Sequence, residues 1–475
     1  MSAPYPRRWL ALAVLLLAMA MDLIDTTIVN IALPAIRDDL GAGPAELEWI
    51  VAGYTLAFAL GLITGGRLGD VYGRRLVFLL GVIGFTLVSV LCGVAWSPET
   101  LIAARLAQGA FAALMVPQVL STINVGFPPS ERAKAYGLYG AFAGIATVSG
   151  PLVGGVLVEA DLFGLGWRPI FLLNVPVGIV TVIAAIALVP ESRDARPPRL
   201  DLAGVGLVTI ALVLLLYPLV QGREADWPAW TFASLAASLP AFALFAAHQA
   251  RRARGGASPL VPLALFRERA FTGGVLAALM FFSGVAGFFL VLTLALQVGL
   301  GLSPLHTALT FLPWSVGIAA AAGASIQLAP RLGRRLTTAG ALAMAAGMAA
   351  LLVAVERAGG DLDSWSLAPG LLVCGLAMGM VAPTLVDVTL TGVRDRDAGS
   401  ASGVLNTAVQ LGGAIGVALI GVVFFRLVPG EGFVGALDDA LRFQVGVFLL
   451  SALAMLLLPA PRRERATVLQ AEGST

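Results

Sequence analysis

The stretch WLALAVLLLAMAMDLIDTTIVNIALP, Trp9–Pro34, is apolar throughout its first half and then carries two carboxylates, Asp22 and Asp25. It is long enough to cross a bilayer core, which takes about 20 helical residues. A charge near the bilayer centre costs about 3 kcal/mol on insertion scales. Residues three apart on a helix lie roughly 60° apart around the axis and one turn apart along it. Asp22 and Asp25 therefore share a face, and Thr26 and Asn30 extend it. Such a polar stripe cannot face lipid. It must line a watery path or meet partners on other helices.

The rest of the chain reads the same way. It has 475 residues, of which 58% are hydrophobic and 12% charged, with a mean hydropathy of +0.91; soluble domains carry about 25% charged residues. Fourteen apolar spans of helical length follow one another: 10–33, 47–66, 76–95, 99–122, 134–158, 169–189, 202–221, 230–248, 270–297, 305–328, 337–355, 367–390, 399–425 and 442–459. The fold class is all-α integral membrane.

Charge placement supports that threading. With the N-terminus inside, 23 of the 30 basic residues fall on one side. By the positive-inside rule that side is cytoplasmic, with both termini on it. Trp49, Trp96, Trp167, Trp227, Trp230 and Trp365 fall at outer ends, as an interfacial belt does. Arg7, Arg8 and Ala18-Met19-Ala20 resemble a secretory signal, but the apolar character resumes beyond Asp25 and completes a span, so retention is expected. The net charge of +2 averages over two sides and implies no nucleic-acid partner. Cys92 and Cys374 lie in spans of opposite halves and make no disulfide framework. No zinc spacing, P-loop or nucleophile elbow occurs, and no extramembrane segment is large enough to house an enzyme. Neither catalytic residue, cofactor nor metal is expected.

The chain repeats itself. Leu68-Gly69-Asp70-Val71-Tyr72-Gly73-Arg74-Arg75 follows the second span, and Leu328-Ala329-Pro330-Arg331-Leu332-Gly333-Arg334-Arg335 follows the tenth. Gly137, Gly150 and Gly155 pair more loosely with Gly403, Gly416 and Gly421. Two pseudo-symmetric six-helix bundles, 1–189 and 269–459, are therefore expected. Two inserted helices with their loops (190–268) lie between them, and a tail (460–475) follows. Repeated halves around a midplane site mark secondary transporters.

Four segments resemble the major facilitator superfamily, and within it the fourteen-span drug:proton antiporter branch. Leu23–Pro34 resembles the branch's first-span motif. Gly66–Arg75 resembles the superfamily's loop motif after span two. Arg105-Leu106-Ala107-Gln108-Gly109 resembles the fourth-span motif, and Gly144 with Gly150-Pro151-Leu152-Val153-Gly154-Gly155 the fifth-span antiporter motif. Asp22 departs from the pattern. Pro330 stands where the first loop copy has Asp70.

The residues themselves suggest roles. Burial favours the neutral carboxyl and a like charge one turn away favours it further, so Asp22 and Asp25 are expected to titrate as a coupled proton-binding pair. Their structural alternative is a pair of carboxylates held by neighbouring helices. Arg105 lies about 10 Å, and Asp25 about 12–14 Å, below the outer surface at ~1.5 Å per residue. An ion pair is possible, which protonation would release; otherwise Arg105 snorkels to the interface. Gly66, Gly69, Asp70, Gly73, Arg74 and Arg75 form a cytoplasmic hairpin, which the resemblance implies is a gate with Asp70 docked near Gly399. Gly150, Pro151, Gly154 and Gly155 kink and thin the fifth span, and the resemblance implies a seal between the halves of an exporter. Asn30, Gln108, Asn406 and Gln410, with Phe281 and Phe288, are candidates for a substrate cavity. Periodicity does not decide whether the phenylalanines face substrate or lipid. Asp387 reads as an ordinary end-of-helix charge.

The expectation is a proton-driven, alternating-access exporter of amphipathic, often cationic organic compounds in the plasma membrane. Its partners are a small-molecule substrate, protons and lipid, and it is expected to be a monomer. Rival readings are an exporter of an endogenous metabolite or lipid, a proton-coupled importer, and a non-transporting sensor. One lysine against 29 arginines suggests a high-GC genome and fits an antibiotic producer.

Overall fold

A computed structural model describes residues 5–193, 201–256, 259–358, 362–390, 393 and 398–458. The expected tail and part of the loops flanking the insert lie outside them. The described residues are helical wherever the sequence is apolar. The N-terminal bundle comprises α1 (Arg8–Leu40), α2 (Pro44–Tyr72), α3 (Arg74–Gly93), α4 (Pro98–Gly126), α5 (Pro129–Glu159), α6 (Pro169–Leu172) and α7 (Asn174–Leu188). The insert is α8 (Leu202–Glu224) and α9 (Ala229–Arg254). The C-terminal bundle follows as α10 (Arg269–Leu294), α11 (Pro304–Thr310), α12 (Leu312–Leu332), α13 (Arg334–Ala358), α14 (Ser364–Leu390) and α15 (Ala398–Met455).

Among the described residues, twelve helices are long and apolar enough to cross a membrane. The last of them is broken at Gly432, where φ is 72°, and α5 adds a shorter apolar stretch, Ile145–Glu159. Counted so, the helices match the fourteen expected spans. Two spans are each built from two helices, α6 with α7 and α11 with α12. The first helix also runs further than expected. Pro34 sits inside it, and the helix ends only at Gly41, in the left-handed conformation (φ 68°) that glycine adopts freely. A proline that would end a soluble helix is tolerated in a membrane because neighbouring helices satisfy the freed carbonyl.

Within the N-terminal bundle α1 packs on α5 and α7, and α4 on α2 and α3. In the C-terminal bundle α10 and α13 pack on α15, and α12 and α13 on α14. The bundles meet along two seams, α2 with α15 and α5 with α11. The inserted hairpin is not peripheral: α8 packs on both α2 and α15. Trp49, Tyr217 and Trp230 pack as tilted rings in a row from α2 through α8 to α9. Val220 is buried with Ala45 and Ala418.

Packing differs between the two ends. At the end that carries Gly41, Ile28, Val29, Ile31, Leu33, Ile36, Leu47 and Ile50 join a single apolar core with Phe288, Phe311, Ile420 and Phe424 of the C-terminal bundle. At the arginine-rich end, the N-terminal bundle keeps a separate core built from Leu12, Leu15, Met19, Phe78, Phe85 and Met115. Burial of this kind stabilises contact by about 25 cal/mol per Å² in water and less where lipid is the alternative. The bundles are closed on each other at the end that carries Gly41 and Phe424.

Candidate functional site

Asp25 and Arg105 meet inside the N-terminal bundle. Arg105 Nη1 donates to Asp25 Oδ2 at 2.5 Å, with the two side chains 2% and 0% exposed. The same guanidinium nitrogen donates to Gln108 Oε1 at 2.7 Å, and Nε donates to the Ile50 carbonyl at 3.2 Å. Asp25 Oδ1 accepts from Gln108 Nε2 at 2.9 Å and from Asn174 Nδ2 at 2.8 Å. Both amides also reach Ser89 Oγ, at 2.9 and 3.2 Å. Charge-assisted hydrogen bonds of this length are the strong ones, and a buried ion pair needs them to offset desolvation.

The second acid joins through an aromatic ring. The Tyr54 hydroxyl donates to Asp22 Oδ1, and the Arg105 guanidinium lies 4.2 Å above the Tyr54 ring, a favourable cation–π contact. Five elements supply this cluster: α1 both acids, α2 Tyr54, α3 Ser89, α4 Arg105 and Gln108, and α7 Asn174. Two carboxyls therefore flank one guanidinium. If both acids are ionised the trio carries one net negative charge; one proton makes it neutral.

The expected face of α1 divides accordingly. Asp22 and Asp25 point into the bundle and are buried, whereas Thr26 and Asn30 are half-buried. Thr26 spends its hydroxyl on the Asp22 carbonyl and Asn30 its amide on the Thr26 carbonyl. Other expected residues scatter. Gln108 is fully buried in the cluster rather than facing an opening. Phe281 and Phe288 are fully buried in the C-terminal core, Phe281 edge-on to Phe448 and Phe288 stacked on Trp314. Asn406 is exposed and Gln410 half-buried; between them Thr407 donates to the Ala59 carbonyl across the seam at 3.4 Å.

The hairpin motif is clasped from the segment that follows α7. Gly73 has φ 111°, and a Cβ there would meet the Glu191 carboxylate at 2.5 Å. Glu191 also accepts from the Arg75 N–H at 3.3 Å. Gly69 leaves room for Gln118, whose amide donates to the Gly65 carbonyl at 2.8 Å. Gly66 is less crowded, its nearest neighbour Pro117 at 3.7 Å. Asp70 pairs with Arg74 at 2.9 Å; residues 394–397, just before the helix start expected to receive it, lie outside the described ones. Asp387 is exposed at the inner end of α14.

The fifth-span motif divides between two duties. Pro151 lies inside α5. A Cβ at Gly150 would strike Thr27 and one at Gly154 would strike Ile28, both on α1. One at Gly155 would lie 2.9 Å from Pro304, Leu305 and Ala308 of α11, across the seam. Glu159, a turn further, accepts from the Leu305 N–H at 3.1 Å.

Sequence reasoning missed Tyr54, Ser89, Asn174, Glu48 and Glu191. Asn174 and Glu48 had a signal, a polar side chain within or beside an apolar span. Tyr54 and Ser89 had none, because neither is unusual in a membrane helix.

Two packed helical bundles, the first with an ion pair buried in its interior, suit a polytopic membrane transporter. The family model for the Major Facilitator Superfamily matches residues 15–417. The chain belongs to that superfamily. It is 46% identical over 442 residues to a "Probable actinorhodin transporter" of Streptomyces coelicolor, covering 92% of this chain and 76% of that protein. It is 36% identical over 484 residues to the "Puromycin resistance protein pur8" of Streptomyces alboniger, covering 98% and 93%. Among solved structures it resembles a D-xylose-proton symporter with TM-score 0.66 at 16% identity, covering 96% and 98%. That likeness speaks for the fold alone.

Proposed function

We propose that this chain exports amphipathic organic compounds of the antibiotic class across the plasma membrane in exchange for protons, with both termini cytoplasmic. The relatives named for actinorhodin transport and puromycin resistance favour export of such compounds. The observation that carries the proton reading is the buried trio of Asp22, Asp25 and Arg105. A proton arriving at Asp25 cancels its attraction for Arg105. The guanidinium then turns to Asp22 and keeps the Ile50 carbonyl, so α1, α2 and α4 shift relative to one another. Residues 1–189 and 269–459 act as the two rocking bodies. Gly155 and Glu159 seal the outer seam against α11. The Asp70–Arg75 hairpin serves the inner gate. Substrate contacts fall to the half-exposed residues facing the seam, Asn30, Asn406 and Gln410, rather than to Phe281 and Phe288.

The test is efflux of a fluorescent cationic dye from energised cells. Uncoupler-sensitive efflux should appear with the wild-type chain and vanish with Asp25→Asn. Efflux indifferent to Asp25→Asn would remove the proton role from the trio while leaving export standing. Efflux no greater than in cells lacking the protein would sink the dye-exporter reading.

A further inference from the structure

A cavity of about 140 Å³ lies at the end of the molecule that carries Gly41. Four helices wall it, two from each bundle. Arg37 comes from α1, Leu47 from α2, Leu294 from α10, and Phe425, Val428 and Phe433 from α15. Apart from Arg37 the lining is apolar. Phe433 follows directly on the break of α15 at Gly432, and its ring packs 6.0 Å from that of Phe424. The Arg37 guanidinium lies 5.8 Å from the centre of the Phe433 ring, so the cation of the lining is held beside an aromatic wall. Its Nε and Nη2 both donate to one oxygen of Asp38, at 2.9 and 2.7 Å. That pair is between sequence neighbours at the surface, where ion pairs contribute little. Nη1 is left for another acceptor. Glu46, on the first turn of α2, is turned to the Gly43 N–H.

Size and chemistry together select a ligand. An apolar cavity of about 150 Å³ stays dry and takes up one benzene ring. Two phenylalanines in the wall favour an aromatic ring through edge and offset contacts. A guanidinium at the rim favours an acid group on that ring, through charge-assisted hydrogen bonds. We propose that this pocket binds an anion built on a single aromatic ring, the ring among Leu47, Leu294 and Phe425 and the acid group on Arg37, and that the bound anion holds this end of the two bundles shut. The lining comes from both bundles, so the site is complete only while they are together here. A ligand that binds one state shifts the equilibrium toward it. At ten times its dissociation constant it multiplies the closed state about elevenfold over the open one. The effect on transport rests on the alternating-access reading above, in which this end faces outward. Such an anion outside the cell is then a brake on export.

The experiment titrates para-fluorobenzenesulfonate, a permanent anion, into the full chain in phosphatidylcholine nanodiscs and follows binding by fluorine NMR against empty nanodiscs. Binding should saturate, and the neutral para-fluorobenzenesulfonamide should bind at least about tenfold more weakly, the loss expected with one charge-assisted hydrogen bond. Arg37→Gln should weaken the sulfonate by a similar factor and leave the sulfonamide unchanged. Val428→Trp puts an indole into the pocket from a half-buried position and should abolish both. Unlabelled benzenesulfonate should displace the probe far better than cyclohexanesulfonate. No saturable binding above empty nanodiscs, as when a lipid chain fills the pocket, overturns the proposal. So does binding that survives Val428→Trp, is indifferent to Arg37→Gln, or makes no distinction between anion and amide or between aromatic and saturated ring. The native chain alone decides the last two comparisons if a variant does not fold. In the dye assay, external benzenesulfonate at ten times its dissociation constant should slow efflux severalfold in the wild type and not in Arg37→Gln; unchanged wild-type efflux with the site saturated overturns the brake. If the wild type shows no dye efflux at all, the export reading fails while the NMR titration still tests the site.

Discussion

Replacing Arg105 by glutamine removes the one cation of the trio while keeping a planar, hydrogen-bonding side chain. The structure fixes what is lost: a 2.5 Å ion pair to Asp25, bonds to Gln108 and Ile50, and the stack on Tyr54. What remains is two buried carboxyls with no counter-charge. Breaking a buried pair by removing one partner costs about 3–5 kcal/mol. That cost depends on pH, because the orphaned acids can be neutralised by protons. It should be full in alkali and shrink in acid by up to about 1.4 kcal/mol per pH unit for each proton taken up on folding. Removing Asp25 as well, in Arg105→Gln/Asp25→Asn, should recover about 2–3 kcal/mol, because one orphaned charge goes with it. Unfolding of the four proteins in mild detergent, followed by circular dichroism across pH, measures the cycle. If the two single costs simply add, or if the Arg105→Gln cost is the same in acid and alkali, the trio is not the coupled electrostatic unit described above.

Two further outcomes follow from local geometry. Gly155→Leu should hold the outer seam apart, since even a Cβ there lies 2.9 Å from α11; overpacking costs about 1–3 kcal/mol, so transport should fall by about tenfold or more at unchanged expression. A normal efflux rate would show that the α5–α11 contact is not a gate. At the base of the insert, burial works to raise the Asp201 carboxyl, but hydrogen bonds from His248, Gln249 and the Gly204 N–H, with Arg252 nearby, hold it below its ordinary value. A depressed acid stabilises above its unfolded value of about 3.9 and loses that contribution as pH falls through the folded one. The hairpin should therefore loosen only below about pH 4. Asp201→Asn should weaken it at neutral pH by about 1–3 kcal/mol, read as faster amide exchange at Leu260 and Val261, whose N–H groups rest on Gln249; unchanged exchange would refute the clamp.

Fold and topology were legible because a bilayer leaves the chain few choices. Spans must be apolar, about 20 residues long and flanked by sided arginines. Helix ends were less legible: Pro34 reads as a stop in water, yet α1 passes through it to Gly41. The Asp25–Arg105 encounter was readable from matching depths along two helices. Its environment was not, because depth says nothing of rotation about the axis. That is why Gln108 looked like a cavity residue and instead binds Asp25, and why Phe281 and Phe288 looked free for a ligand and instead fill the core. Tyr54, which links Asp22 to the guanidinium that holds Asp25, becomes visible only when α2 is set beside α1.

The inserted hairpin bears on where a transported compound can leave. With α8 laid over α2 and α15, and held to α2 by Trp49 and Tyr217, one flank of the molecule is walled off from the surrounding acyl chains at its outer end. On the proposed export reading, an apolar compound leaving by the outer side would meet that wall and not the neighbouring leaflet, so its release on that flank would be toward water. A compound delivered sideways into the bilayer can diffuse back through it, so the wall guards against a futile cycle in which the cargo returns as fast as it is expelled.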